Sequence, residues 1–357
     1  SVLNAWLLMP INTEKQPIAW KRLLIFSGLF VVLTALGFYS IQQFFQGAEL
    51  QFDSQLLQPA VLLSLLALLI VYFASDGLRL YFTLRALGYR VPAAPMTRLI
   101  FINMFFSNVT PMATGGGFAQ VWYLAKQGVP VGRATAATTI RTVLAVIFIF
   151  TFTPVLLLIL PALSDSTLSK GIGGSLAILV TAYLAFFAMV LFKTHWLIAP
   201  INGVLRVLAT VNLMSAHKCR VLGFWSKREM LRFAGSFRDY CKGKPLYVWG
   251  SVFFTVVFLL SLFSFPAILL WGLDYTVPYW QSVGLLVVTT FVMYFAPTPG
   301  ASGVSEGVFG SFFAQFVQSH HLLLIIFSWR FITIYLGMLI GMVTLQYEML
   351  ASRRKGA

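Results

Sequence analysis

Long apolar runs without a charged residue recur from one end of this chain to the other. A helix needs about 20 apolar residues to cross the hydrocarbon core of a bilayer, and several of the runs reach that length. Hydrophobic residues make up 59% of the sequence and charged residues only 10%. The pattern predicts an all-α polytopic membrane protein and excludes a soluble enzyme held on a single anchor.

The runs divide into eight predicted units. Six are single spans, at about 23–45, 56–80, 134–161, 172–192, 246–272 and 321–346. The other two, at about 99–127 and 281–317, are interrupted near the middle by proline and glycine. The sequence therefore predicts one integral membrane domain made of an N-terminal half, 1–165, and a C-terminal half, 166–357, with four units in each half.

The two interrupted units repeat a weak common pattern. In each, a proline is followed four residues later by a glycine, and a lone arginine then occurs inside the next apolar helix. The residues are Pro111, Gly115, Gly116, Gly117 and Arg141 in the first half, and Pro299, Gly300, Gly303 and Arg330 in the second. Broken apolar segments at corresponding places in two halves are the best sequence indication of a transporter's binding site.

The basic residues predict a topology. With a cytoplasmic N-terminus and both interrupted units re-entrant, the 25 Lys and Arg residues all fall on the cytoplasmic side except Lys170, Arg141 and Arg330. An excess of Lys and Arg is typical of cytoplasmic loops. In this chain the second group of basic residues starts at Arg79. The most basic loop, about 193–244, and both termini are then cytoplasmic. The net charge of +15 is explained in this way without a nucleic-acid partner.

This topology gives the halves opposite orientations. The first re-entrant unit enters from the cytoplasm and the second from the other face. The arrangement is an inverted-topology repeat, and its loop tips are predicted to converge near the middle of the bilayer. Non-helical backbone at that depth is tolerated only inside protein or beside a wet cavity, so an internal cavity is predicted as well.

Four ionisable residues fall at predicted membrane depth: Asp76, Arg141, Glu306 and Arg330. Each costs about 2.5–3.5 kcal/mol or more at the centre of a membrane helix, so they are expected to pair. Glu306 is expected to pair with Arg330. Asp76 is expected to pair either with Arg141 or with Arg79, three residues further along its own helix.

Two interpretations of these charges stay open. The ion pairs either fix the packing of the re-entrant loops, or the two arginines bind a phosphate group as it crosses. In the second case the backbone N–H groups of Gly115–Gly117 and Gly300–Gly303 add contacts to the anion.

Other chemistry has little support in the sequence. The two cysteines, Cys219 and Cys241, lie in the basic loop, and neither has a second Cys or His at ligand spacing. The chain contains no Walker-type or HExxH motif and no paired acids. We therefore expect no metal, no cofactor and no enzymatic activity.

The segment Pro297-Thr-Pro-Gly-Ala-Ser-Gly-Val-Ser-Glu306 resembles a motif of the flippase-like transmembrane domain of bacterial lysylphosphatidylglycerol synthases. The arginine in the following helix corresponds to Arg330, and the first-half Pro-x-x-x-Gly-Gly segment and its arginine correspond to Pro111, Gly115, Gly116 and Arg141. Ala301 stands where that motif usually has a second glycine. The sequence given ends without a soluble synthase domain, so aminoacylation is not implied.

The resemblance implies a flippase that moves an anionic phospholipid or polyprenyl-linked lipid between leaflets of a bacterial or archaeal cytoplasmic membrane without ATP. Membrane lipids are then the partners, and a homo-oligomer is left open. The alternatives are an ion-coupled carrier of a small anionic solute and an accessory membrane subunit of a lipid-modifying enzyme.

Overall fold

A computed structural model describes residues 20–44, 52–110, 113–160, 181–182, 185 and 216–354 of the chain. In these ranges the protein is all-helical, as predicted. The helices are α1 (Trp20–Phe44), α2 (Pro59–Ala86), α3 (Ala93–Val109), α4 (Thr114–Lys126), α5 (Val131–Ile159), α6 (Ala216–Cys241), α7 (Pro245–Gly272), α8 (Tyr279–Met293), α9 (Val304–Phe313), α10 (Ser319–Arg330) and α11 (Leu336–Arg354). Pro111 and most of the predicted span 172–192 lie outside the described residues.

Four helical segments in the described ranges are long and apolar enough to cross a membrane. They are Pro59–Ala86, Val131–Leu157, Pro245–Gly272 and Ser319–Leu350. The last of these joins α10 to α11 through a π-helical turn, Phe331–Tyr335. Large apolar side chains such as Trp249 and Phe253 point outward and are 71% and 61% exposed. Such surfaces are stable against lipid, so the protein is an integral membrane protein.

The first interrupted unit is an antiparallel helical hairpin formed by α3 and α4. Gln120 Nε2 donates to Asn103 Oδ1 at 2.6 Å, and Gly115 N donates to Thr110 Oγ1 at 2.8 Å. In these pairs, later residues of α4 contact earlier residues of α3, so the two helices run in opposite directions. The chain therefore turns back toward the end at which it entered, which is the geometry that a re-entrant unit requires.

The second interrupted unit consists of α8 and α9, which pack against each other. Their connection contains a turn in which Ala301 N donates to Thr298 O at 3.1 Å. Pro299 and Gly300 occupy its two central positions, and Gly300 has a φ of 56°. Proline followed by a residue of positive φ is the preference of a type II turn.

Contacts at the two ends of the bundle agree with the predicted sides. At one end His321 Nε2 lies 3.2 Å from Asp53 Oδ2. At the other end Glu348 pairs with Arg98 at 2.7 Å and with Lys126 at 3.3 Å. Residues assigned to one side of the membrane thus meet at one end. The inverted repeat and the division between 165 and 166 stay predictions.

The described part of the basic loop contains α6, which begins at Ala216. Phe233 and Phe237 of this helix are half-buried and Tyr240 is buried, whereas Arg232 and Arg238 are exposed. The helix is joined to α5 by an ion pair between Arg133 Nη1 and Asp239 Oδ2 at 2.8 Å. This part of the loop is therefore an amphipathic helix packed on the bundle.

Candidate functional site

The two interrupted units meet inside the bundle. A Cβ placed on Gly300, in the turn of the second unit, would lie 3.3 Å from Asn108 Oδ1, near the end of α3. The same position is 3.8 Å from Arg330 Nη2. The turn of the second unit therefore lies beside the end of α3, and the convergence of the two loop tips at the middle of the bilayer stays a prediction.

A cavity of about 220 Å³ lies beside this meeting point. Its walls come from α2, α3, α5, α7, α8 and the continuous α10–α11 segment. The lining combines three charged side chains with amide, hydroxyl, aromatic and aliphatic groups. These residues are Tyr72, Asp76, Arg79, Asn103, Met104, Ser107, Asn108, Arg141, Phe258, Leu262, Leu286, Thr290, Met293, Trp329, Thr333 and Ile334.

Asp76 lies at the centre of the charged part of the lining. It is 1% exposed, and its Oδ1 accepts hydrogen bonds from Arg79 Nε at 2.7 Å and from Arg141 Nη2. Both partners that the sequence offered for Asp76 are thus engaged together. The guanidinium of Arg79 also lies 3.7 Å from the centroid of the Phe258 ring, a cation–π contact that fixes its plane.

Arg141 connects this cluster to the first hairpin. Its Nη1 donates to Gln120 Oε1 at 2.7 Å, and Gln120 in turn donates to Asn103. One arginine on α5 therefore binds α2 through Asp76 and α4 through Gln120. The position of the hairpin is coupled to the charged wall of the cavity.

The cluster holds more positive than negative charge. One carboxylate faces two guanidinium groups, since Asp76 is the acidic residue among those lining the cavity. Within the described part of the chain, Arg79 Nη1 and Arg141 Nε are buried without a hydrogen-bond partner. A buried cation that lacks full compensation is costly, so the cavity favours an anion.

Glu306 and Arg330 form a second buried cluster. Arg330 Nε lies 2.8 Å from Glu306 Oε1, and the two side chains are 1% and 0% exposed respectively. The predicted pairing is therefore confirmed. Arg330 Nη2 also donates to the carbonyl of Gly300 at 2.7 Å. Neither Glu306 nor Arg330 lines the cavity, so this pair holds the turn of the second unit against α10.

Three of the loop glycines use their N–H groups within the protein. Gly115 donates to Thr110 Oγ1, Gly116 to the carbonyl of Ala113 at 3.2 Å, and Gly303 to Glu306 Oε2 at 2.7 Å. Gly300 presents its carbonyl to Arg330. The N–H groups of Gly115, Gly116 and Gly303 are engaged in this conformation, whereas anion contacts from the N–H groups of Gly117 and Gly300 stay a prediction.

Close packing explains two of these glycines better. A Cβ on Gly116 would lie 1.8 Å from Ser107 Oγ, and one on Gly115 would lie 2.6 Å from Thr110 Cγ2. A side chain at either position would force the neighbouring Ser107, Asn103 or Thr110 side chains to move. Gly117, in contrast, has open space around its Cα.

The sequence counted Arg79 among the cytoplasmic basic residues, at the end of its span. The predicted span ended near residue 80, which put Arg79 close to its cytoplasmic end, whereas α2 continues to Ala86 and Arg79 is 7% exposed. Its spacing of three residues from Asp76 was the available signal. Gln120 and Trp329 were also missed, because a neutral side chain in an apolar run carries no electrostatic signal.

Comparison with known proteins agrees with this architecture. Residues 18–341 match the family model described as the lysylphosphatidylglycerol synthase TM region. A UPF0104 membrane protein of Archaeoglobus fulgidus is 23% identical over 278 residues, which cover 78% of this chain and 83% of that protein. The family match includes both interrupted units, both ion-pair clusters and the cavity. The chain therefore belongs to the family of the lysylphosphatidylglycerol synthase transmembrane region.

Proposed function

We propose that this protein moves an anionic lipid, either a phospholipid or a polyprenyl-linked lipid, between the leaflets of a bacterial or archaeal cytoplasmic membrane. The observation that carries the proposal is the cavity between the membrane spans, whose buried wall holds two arginines and one aspartate. Membership of a family named for a phospholipid synthase supports a lipid as the cargo.

The size of the cavity fits part of a lipid. Its volume of about 220 Å³ is below the roughly 300–1,000 Å³ of pockets that enclose drug-sized ligands. A headgroup fits such a space, and the acyl or prenyl chains stay in the surrounding bilayer. The protein then lowers the cost of carrying a charged headgroup through hydrocarbon, which is the barrier to unassisted movement.

We assign different roles to the two charged clusters. Arg141, with Arg79, contacts the headgroup, and Asp76 orients both guanidinium groups. The buried pair of Glu306 and Arg330 positions the second loop. Rocking of the two halves around the cavity gives alternating access without ATP, and the driving force is the lipid gradient, a proton or the membrane potential.

The proposal also specifies how the protein is oriented in the membrane, and it involves no chemical change of the lipid. The basic end of the bundle, which includes Arg98 and Lys126, lies in the cytoplasm together with both termini. The cargo is translocated unchanged, because the charged groups at the cavity are arranged as ion-pair partners and not as a nucleophile beside a base.

A carrier of a small anion is the second candidate, and the small, charged cavity favours it. The two functions differ in the molecule that crosses the membrane. A carrier moves inorganic phosphate or a similar solute into sealed vesicles, whereas a flippase moves headgroup-labelled lipid. The third candidate, an accessory subunit of a lipid-modifying enzyme, predicts that the purified protein moves neither.

The test is transbilayer movement of headgroup-labelled anionic lipid in proteoliposomes, with uptake of radiolabelled phosphate measured in the same preparation. We expect lipid movement by the wild-type protein, its loss in Arg141→Gln, and a strong reduction in Arg330→Ala and Glu306→Gln. Phosphate uptake without lipid movement would replace the proposal by the carrier. Movement of neither by folded protein would favour the accessory role.

A further inference from the structure

The net charge of the cavity wall follows from a count of its buried ion pairs. Asp76 is shared by Arg79 and Arg141, and the other buried acid of the loop region, Glu306, is already paired with Arg330. One positive charge is therefore left over at the cavity. Because the wall is buried, this charge is screened much less than a surface charge.

Three N–H groups in the lining, on Arg79, Arg141 and Trp329, have no hydrogen-bond partner among the described residues and can donate to an anion. Arg79 uses Nε and Nη2 for Asp76, whereas its Nη1 has no hydrogen-bond partner among the described residues. The same is true of Trp329 Nε1 on α10, across the cavity wall. Each of these nitrogens exposes less than 1 Å², so the side chains must reorient before an anion can reach them.

We propose that this cavity is a binding site for a group bearing one negative charge, the charge of a phosphodiester, and that Arg79 and Trp329 are its ligands together with Arg141. The inference deepens the proposed function, on which it rests for taking the anion to be part of a lipid headgroup. A monoanion brings the cavity wall to neutrality.

A group with two negative charges is disfavoured, because the cavity wall has only one excess positive charge. A phosphomonoester or a diphosphate would leave an uncompensated negative charge in a buried site that already contains the Asp76 carboxylate. Like charges close together in a weakly screened site repel strongly. The cavity should therefore distinguish lipids by headgroup charge, and the Asp76 carboxylate sets the preferred value.

Binding can be measured independently of transport. The full chain is placed in nanodiscs of phosphatidylcholine and titrated calorimetrically with dihexanoyl phosphatidylglycerol, dihexanoyl phosphatidic acid or inorganic phosphate. The titrations are made at about pH 8, above the second pKa of about 6 of a phosphomonoester, so that phosphatidic acid is a dianion. We expect phosphatidylglycerol to bind more tightly than either of the other two.

Three substitutions test the ligands and the charge count. Arg79→Gln removes the extra charge and should weaken phosphatidylglycerol binding by about tenfold or more, as expected for a lost charge-assisted hydrogen bond. Trp329→Phe removes one neutral donor and should weaken it by about threefold to tenfold. Asp76→Asn raises the excess to two charges and should reverse the preference, so that phosphatidic acid binds more tightly.

The matched control is Arg133→Gln, which removes an exposed arginine from the same helix as Arg141 and should leave binding unchanged. Arg79→Lys keeps the charge and should retain more affinity than Arg79→Gln, which separates a ligand from a residue needed only for folding. Equal phosphatidylglycerol affinity in Arg79→Gln and wild type would overturn the inference. So would an unchanged headgroup preference in Asp76→Asn, or inorganic phosphate binding as tightly as phosphatidylglycerol.

These results are distinguishable from a failure of the proposed function. Selective, Arg79-dependent binding in a protein that moves no lipid would support the site and contradict translocation. Lipid movement that persists in Arg79→Gln would support translocation and contradict the assignment of this ligand.

Discussion

Glu306 contacts Arg330 with one carboxylate oxygen and the start of its own helix with the other. Oε1 lies 2.8 Å from Arg330 Nε, and Oε2 accepts hydrogen bonds from Gly303 N at 2.7 Å and from Ser305 Oγ at 2.8 Å. A single buried side chain therefore joins α10 to the first turn of α9, where a negative charge is also favoured by the helix dipole.

This arrangement predicts that Glu306→Gln destabilises the protein by about 3–5 kcal/mol, because it leaves the Arg330 cation buried without its counter-ion. The melting temperature of the detergent-solubilised protein, determined by thermal unfolding, measures the effect. Asp239→Asn is the control, since its pair with Arg133 is exposed and should contribute about 0–1 kcal/mol. Similar losses in the two variants would contradict the structural role of Glu306.

Gln120→Glu tests the charge of the cavity without removing an existing contact to Arg141. The new carboxylate would lie beside Arg141 Nη1, and Asn103 would turn its amide so that Nδ2 faces it. The cavity wall becomes neutral, and anionic lipid movement should fall about tenfold or more, as for loss of a charge-assisted hydrogen bond.

The control for this prediction is Gln315→Glu, which makes the same change of charge at an exposed residue and should leave lipid movement unaffected. Wild-type lipid movement by Gln120→Glu would show that the excess positive charge is irrelevant to the cargo.

Gly116 and Gly117 form a matched pair of positions on α4. A Cβ at Gly116 would overlap the side chains of Ser107 and Asn103 and force them to shift, whereas a Cβ at Gly117 meets nothing within 4 Å. We expect Gly116→Ala to destabilise the protein by about 1–3 kcal/mol. Gly117→Ala should stabilise it by up to about 1 kcal/mol through helix propensity. Melting temperatures of the two variants that change in the same direction would contradict the packing of the hairpin.

Ala301 has a φ of 55°, in the left-handed region that costs a residue with a Cβ about 1–2 kcal/mol. This is the position at which the resembling motif usually has glycine. Ala301→Gly should therefore raise the free energy of unfolding by about 1 kcal/mol. Ala145→Gly, in the interior of α5, is the control and should lower it. A decrease at both positions would mean that the backbone at Ala301 is unstrained.

The sequence predicted the parts of the site that carry a charge in an apolar run. Asp76, Arg141, Glu306 and Arg330 were found in this way, because each must be paired to be tolerated in the membrane. The pairing of Glu306 with Arg330 followed from their positions in one broken unit and the next helix. The glycines were located correctly, but whether an N–H group is free depends on hydrogen bonds that no local pattern specifies.

The remaining parts depend on three-dimensional packing. Arg79 was expected near the cytoplasmic end of its span, and it lies inside the bundle because α2 extends to Ala86. Gln120 is recognised as a ligand of Arg141 only when α4 folds back onto α3 and packs against α5. Trp329 precedes the predicted Arg330 directly, yet it lines the cavity and Arg330 does not. Adjacent residues of a helix face different directions, and the sequence alone did not fix which one faces the cavity.

The most direct test of the central claim is the accessibility of headgroup-labelled phosphatidylglycerol to dithionite in proteoliposomes containing wild-type protein or Gln120→Glu. Wild-type protein should expose the inner-leaflet lipid to the reagent, and Gln120→Glu, reconstituted at equal density, should leave it protected as in protein-free vesicles. Protection in the wild-type vesicles, with the protein folded and correctly inserted, would contradict lipid translocation through this cavity.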